Sequence, residues 1–232
     1  MRICLRRARK LVISCSERIR ETDLLEMNLR NLKSDSRDAI VDVLARAFHD
    51  YPAMQYFLKV AGKEYDYHLH ILNGYYTDDC LQRGWPVIGI HEANEISAVA
   101  LVSPPLESLP EPLPHLASKV RAVLGESAWN RVNEFDRLSH LALPSEPHHF
   151  IGMLAVHPDH QGSGLGTRLV EHMKEMSVSE QSRGVTLTTE TERNVEYYTR
   201  LGFEILGETE FCELTSWSMR WENNNFQNRS AE

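Results

Sequence analysis

The chain has 232 residues, of which 42% are apolar and 25% charged; Lys and Arg number 25 against 33 Asp and Glu, a formal net charge of −8. These proportions belong to a globular chain with material for a core, in one large domain or two small ones, and they exclude the disordered and fibrous classes. The acidic balance argues against general nucleic-acid binding, which needs clustered positive charge, and no run of 18 apolar residues is present to span a membrane as a helix.

Charge is unevenly spread. Residues 1–26 hold seven basic groups (Arg2, Arg6, Arg7, Arg9, Lys10, Arg18, Arg20) and four acidic ones, so the remainder carries a net charge of −11. This head lacks the clean apolar core and small-residue cleavage site of a secretory signal. It reads as a basic extension, with Met27 as an alternative start. The four cysteines, Cys4, Cys15, Cys80 and Cys212, show neither Cys-x-x-Cys nor zinc spacing. They read as reduced thiols of a cytoplasmic protein.

From Asn28 to Leu32 the chain can form a short strand. Ser34, Asp35 and Ser36 then offer capping oxygens. Ile40, Val43, Leu44, Ala47 and Phe48 recur at helical spacing, one apolar face of an amphipathic helix. A second helix is expected over 62–83, closed near Gly84. Trp85–His91 and Ile96–Ser103 read as two strands. Five of the ten prolines fall within 104–114, which reads as a stiff connector barred from a sheet interior. A helix follows over 115–141, and Pro144 and Pro147 close what looks like an insertion at 104–147. Phe150–Val156 is an apolar strand. Gly164–Ser177 is a helix with Leu165, Leu169, Met173 and Met176 on one side. Val185–Thr189 is a β-branched strand. A short helix over Asn194–Leu201, stopped by Gly202, and strands over 203–210 and 213–221 complete an α/β layout around a mixed sheet.

The informative stretch joins the strand ending in Ala155-Val156-His157-Pro158 to a turn, Gln161-Gly162-Ser163-Gly164-Leu165-Gly166-Thr167, that opens a helix. Glycines allow close backbone approach. The first helical N–H groups lack internal partners and sit at the positive end of the helix, which suits a phosphate or pyrophosphate. A Walker loop would need a Lys after Gly166, and a dinucleotide fingerprint would need a different final spacing. A plain turn joining strand to helix is the other reading of the glycines alone.

Gln161-x-x-Gly164-x-Gly166 resembles the pyrophosphate motif of the GNAT superfamily of acyl-CoA-dependent N-acyltransferases. Further on, Asn194-Val-Glu-Tyr197-Tyr198 followed by Gly202-Phe203 resembles that family's second signature. The resemblance covers roughly residues 148–204. It implies a mixed, mostly antiparallel twisted sheet of six to seven strands flanked by helices and splayed between the fourth and fifth strands. The expected organisation is a basic extension at 1–26, one acetyltransferase-like domain at 27–222 with its insertion at 104–147, and a polar tail at 223–232.

The same resemblance implies acetyl-CoA as acyl donor and an amine as acceptor, with neither nucleic acid nor membrane as partner; a homodimer is compatible with it. Backbone groups of Leu154, Ala155 and Val156 would hold the pantetheine arm as an added strand does. The N–H groups from Gln161 through Gly162, Ser163, Gly164, Leu165, Gly166 and Thr167 would hold the pyrophosphate, and Asn194 would bond the arm from the other side. Tyr198 would be the general acid, with Tyr197 pointing into the core. Where members of the family often carry a Glu, this chain has Thr188. Glu190, through water, and His149, at the head of its strand, are the candidate bases. Trp85, Trp129, Tyr51, Tyr56, Tyr75 and Tyr76 are candidates for the acceptor wall or for the core. The expected reaction is N-acetyl transfer to a primary amine of a small molecule or a protein; the alternative is a non-catalytic acyl-CoA-binding regulator.

Overall fold

The computed structural model describes residues 29–92, 95–106 and 110–226. The expectations for 1–26, and for 227–232 of the tail, lie outside the described residues. Among the described residues seven strands form one sheet: β1 (Leu29–Asn31), β2 (Val87–Glu92), β3 (Glu95–Leu106), β4 (His148–Val156), β5 (Gly184–Thr189), β6 (Glu204–Phe211) and β7 (Leu214–Glu222). Their order is β1-β2-β3-β4-β5-β7-β6. Among the described residues β4 and β5 run parallel, and every other neighbouring pair is antiparallel.

Among the described residues seven α-helices cover the two faces: α1 (Arg37–Ala47), α2 (Pro52–Phe57), α3 (Tyr65–Arg83), α4 (Pro114–Leu124), α5 (Glu126–Ser139), α6 (Leu165–Ser179) and α7 (Glu192–Arg200). Alternation along β3 shows how the sheet serves both. Val99 and Leu101 join the core under α1–α5, while Ala98, Ala100 and Val102 join the core under α6 and α7. The stripe foreseen for α1 is buried at Ile40, Val43 and Leu44. Arg37 ties α1 to α3 through Asp78, with Nε–Oδ1 at 2.9 Å. Gly84 stops α3 in the left-handed region, φ 70°.

Two expectations for the middle of the chain need correction. The proline segment does not end the strand: β3 runs on to Leu106, which pairs with His148, and a register shift after Ser103 places Pro104 and Pro105 where no ladder N–H is required. The single helix over 115–141 is two helices, broken at Gly125 with φ 79°. The second of them, α5, is fastened at two points. Arg131 Nε donates to the Phe57 carbonyl of α2 at 3.0 Å. Ser218 of β7 donates to the Ser139 carbonyl at 3.0 Å. The insertion helix is thereby held against α2, β6 and β7. The six-residue helix α2 was not foreseen, because a segment that short shows no helical period.

Candidate active site

β4 and β5 pair at His149, Phe150 and Ile151, and part beyond that point. Gly152 lies in the shift between the Leu101–Met153 and Val102–Ile151 pairs, so β4 bends as it leaves its parallel neighbour. From Gly152 to Val156 no strand among the described residues pairs with the edge of β4 that faced β5, and that edge suits an extended ligand. Leu154 lines the opening, Ala155 is buried, and Val156 packs against the core under α6.

The strand then runs through a short turn over Pro158–His160 into Gln161–Gly164, all four of which are exposed. Gly162 and Gly164 take φ of 80° and 87°, and a Cβ at either would meet nothing within 4 Å. The protein itself does not fill this cradle, yet the left-handed backbone requires glycine there. Gly164 is also the residue before α6, so the free N–H groups of the first turn face the same open space. Gln161 folds its amide back onto the Val156 carbonyl at 3.3 Å. Tyr197 reaches this turn as well: its hydroxyl lies 3.3 Å from Thr167 Oγ1, and a Cβ on Gly166 would approach that hydroxyl to 3.1 Å. Its ring packs on the core under α6, while its tip bears on the first turn of that helix.

Inside the splay lies a cavity of about 730 Å³ lined from α2–α5, α7 and β3–β5. Tyr51, Tyr75, Tyr76, Trp85, Trp129 and Tyr198 line it; Tyr56 does not, and packs edge-on to Phe211 with ring centroids 5.4 Å apart. Most of the foreseen aromatic wall therefore serves core and cavity together.

Glu190 follows the last residue of β5 and is largely buried. Its Oε1 accepts from Ser216 at 2.8 Å, and its N–H donates to the Tyr51 hydroxyl at 3.0 Å. The same hydroxyl meets Thr189 Oγ1 at 3.1 Å, and Asn194 Nδ2 donates to that Thr189 oxygen at 3.0 Å. Asn194 is held in turn because Thr191, the cap of α7, accepts its N–H at 3.2 Å. Burial pushes the Glu190 carboxyl up to about 7, against the pull of Ser216 and Tyr51. Burial likewise raises the Tyr198 hydroxyl above its ordinary value, with Tyr197 and Glu190 adding to the effect. Tyr198 lines the cavity, and its hydroxyl has no hydrogen-bond partner among the described residues.

A second carboxylate was missed by sequence reasoning. Asp136 of α5 lines the same cavity. Burial, then the charge of Glu190, pushes it up to about 7. The signal was present: Trp129, Val132, Asp136 and Ser139 share one helix stripe, so an acid stood on the face that packs inward.

The structure removes His149 from the candidate bases. Its ring is fully buried away from the cavity, with Nδ1 2.9 Å from Ser182 Oγ and Nε2 3.1 Å from Glu180 Oε2. Strand alternation turns its side chain to the α6 side, and burial lowers its affinity for a proton.

Residues 126–205 match the sequence model of the acetyltransferase (GNAT) domain. Solved structures show the same fold. One, described as histone acetyltransferase HPA2 and related acetyltransferase, from Corynebacterium glutamicum, aligns over 83% of this chain and 94% of its own, with 18% identity and a TM-score of 0.63. Arylalkylamine N-acetyltransferase 2 from Aedes aegypti aligns over 84% and 97%, with 13% identity and a TM-score of 0.58. An agmatine N-acetyltransferase aligns over 83% and 98%, with 15% identity and a TM-score of 0.57.

Proposed function

We propose that this chain, a member of the GNAT acetyltransferase superfamily, transfers an acetyl group from acetyl-CoA to a primary amine by direct attack within a ternary complex. One observation carries this reading: the only parallel strand pair among the described residues opens after three residues, and the opening holds Glu190, Asp136 and Tyr198 in one cavity while the glycine cradle lies at the end of the same β4 edge.

The residues present fit acetyl-CoA. The open edge at Leu154–Val156 suits the peptide-like arm, with Asn194 opposite, and the N–H groups from Gln161 to Thr167 suit the pyrophosphate. When bound, acetyl-CoA supplies the acetyl group as a thioester. The chain's own groups do the rest. Glu190 takes a proton from the acceptor ammonium, directly or through water, so that a neutral amine attacks; a carboxyl that titrates near neutral pH suits that task. A backbone N–H of Leu154 or Ala155 stabilises the oxyanion. Tyr198, kept protonated by burial, gives its proton to the departing thiolate. Tyr51 and Ser216 hold Glu190 in place.

The solved relatives named for arylalkylamines and for agmatine both act on amines, which supports a cationic acceptor here; the acidic chain favours the same class by steering. A cytoplasmic setting rests on the free Cys80 and Cys212. Incubation with acetyl-CoA and a panel of primary amines, followed by thiol release, tests the reading. We expect release that depends on amine and saturates with both substrates. Absence of release with every amine, together with absence of acetyl-CoA binding, would refute it.

A further inference from the structure

Thr189 closes β5 opposite Trp217 of β7 and is 2% exposed. A valine would fill the same volume and suit a strand as well, so the buried hydroxyl needs a reason. Its surroundings supply one. Oγ1 accepts from Asn194 Nδ2 at 3.0 Å and meets the Tyr51 hydroxyl at 3.1 Å. An amide nitrogen can only donate, so the first bond has one direction. The second depends on where two protons go.

The Tyr51 oxygen already accepts from the Glu190 N–H at 3.0 Å. If Tyr51 gave its proton to Thr189, the Thr189 proton would have no acceptor among the described residues, and the Glu190 carboxyl would lose a donor. If Thr189 gives its proton to Tyr51, every proton is placed. Asn194 donates to Thr189, Thr189 to Tyr51, and Tyr51 to the Glu190 carboxylate, whose proton affinity it lowers alongside Ser216. A hydroxyl at 189 accepts from the amide and donates to the phenol at once, which a valine cannot do. One end of this chain is fixed: Tyr51 stands just before α2, its N–H donates to the Phe48 carbonyl at 3.1 Å, and its ring lies edge-on to Phe48 at 5.1 Å. The other end, the half-buried Asn194, lines the cavity on the side assigned to the pantetheine arm. The remaining groups around Glu190 are not linked to Asn194 in this way. Asp136 of α5 opposes its ionisation, Tyr76 of α3 and Tyr198 of α7 feel its charge across space, and Ser216 of β7 donates to it directly.

We propose that Thr189 is a positioning residue that couples the acyl-donor site at Asn194 to the base: an arm seated on Asn194 fixes its amide on Thr189, Thr189 turns its proton to Tyr51, and Tyr51 turns its own to the Glu190 carboxylate. This rests on the acetyl-transfer reading and adds to it a means by which the donor readies the base. Coupling is reciprocal, so loss of the Glu190 proton also tightens the donor.

The test titrates coenzyme A into the full chain at pH 7 in buffers of different ionisation enthalpy, which reads the protons released on binding. Wild type should release roughly a quarter of a proton more than Glu190→Gln, the amount set free when a group titrating near 7 loses about threefold in proton affinity. The phosphates of coenzyme A titrate in the same range, and their share, common to every variant, cancels in the difference. Thr189→Val should release no more than Glu190→Gln, and Thr189→Ser as much as wild type. Tyr51→Phe, which removes the last donor of the chain, should also lose the excess, and serves if Thr189→Val does not fold. At saturating acetyl-CoA, Thr189→Val should move the kcat/KM limb for the amine to higher pH, which a merely structural loss would not do. A wild-type release equal to that of Glu190→Gln, or an undiminished release in Thr189→Val or Tyr51→Phe, overturns the coupling. The two readings fail separately: the excess proton without transfer to any amine counts against the acetyl-transfer reading and leaves the coupling standing, while transfer without the excess proton counts against the coupling alone.

Discussion

In the proposed reaction Glu190 and Tyr198 divide the proton work between two side chains that burial moves in the same direction for opposite ends. A carboxyl raised to about 7 keeps basicity enough to take a proton from an ammonium, and a raised phenol stays a donor at every working pH. Tyr198→Phe should lower kcat by about a hundredfold while acetyl-CoA affinity, measured by calorimetry, stays within about twofold, since the proposed role puts the phenol at the leaving group and not at the cradle. The base has its own signature. As the proposed base Glu190 acts ionised, so kcat/KM should climb with pH through a limb near 7. Glu190→Gln should lose that limb along with most of the rate. Asp136→Asn should move the limb to lower pH, because it takes away the neighbouring negative charge that opposes ionisation. A limb that stays in place in Glu190→Gln would assign it to another group.

At the level of elements, the histidine at the head of β4 shows how alternation decides a role. His149 and Phe150 are adjacent, yet Phe150 lines the cavity while His149 is locked between Ser182 and Glu180 beyond α6. His149→Ala should therefore destabilise the fold by about 1–3 kcal/mol through the void and the lost hydrogen bonds to Ser182 and Glu180, read by denaturant unfolding, with kcat intact well below the melting temperature. A large loss of kcat without loss of stability would restore it as a base. The glycine turn and α7 were legible because their information is local: glycines where φ must be positive, an aromatic pair and a Gly-Phe turn at fixed spacing. The sheet edges followed from β-branched runs. Asp136 and the break at Gly125 were not legible, since their meaning depends on where α5 lands, and α5 is placed by distant partners, Phe57 and Ser218. Pro104 and Pro105 misled because a register shift removes the need for their missing N–H groups.

On the scale of the whole molecule, a cavity that gathers two carboxyls beneath aromatic walls costs stability, and pH exposes how much. Glu190 and Asp136 have ordinary values of 4.5 and 3.8 and are each raised to about 7 in the folded chain. Between those limits the folded state holds protons that the unfolded state has released. Stability contributed by these groups is full below the ordinary carboxylate range and is lost as pH rises through about 7. For Glu190 the loss is at most about 3 kcal/mol, at roughly 1.4 kcal/mol per pH decade. Buried His140, pushed down to about 4, opposes this on the acid side, since it must gain a proton to follow the unfolded chain. That contribution is common to wild type and variant and cancels in their difference. Glu190→Gln keeps an acceptor for Ser216 and carries no charge, so it should melt about 2–6 °C above wild type at pH 8 and close to wild type at pH 4.5. Scanning calorimetry of the two proteins across that range checks it. A difference that does not grow with pH would show that the folded carboxyl ionises as readily as the unfolded one, and would remove the physical basis for Glu190 as a base tuned by burial.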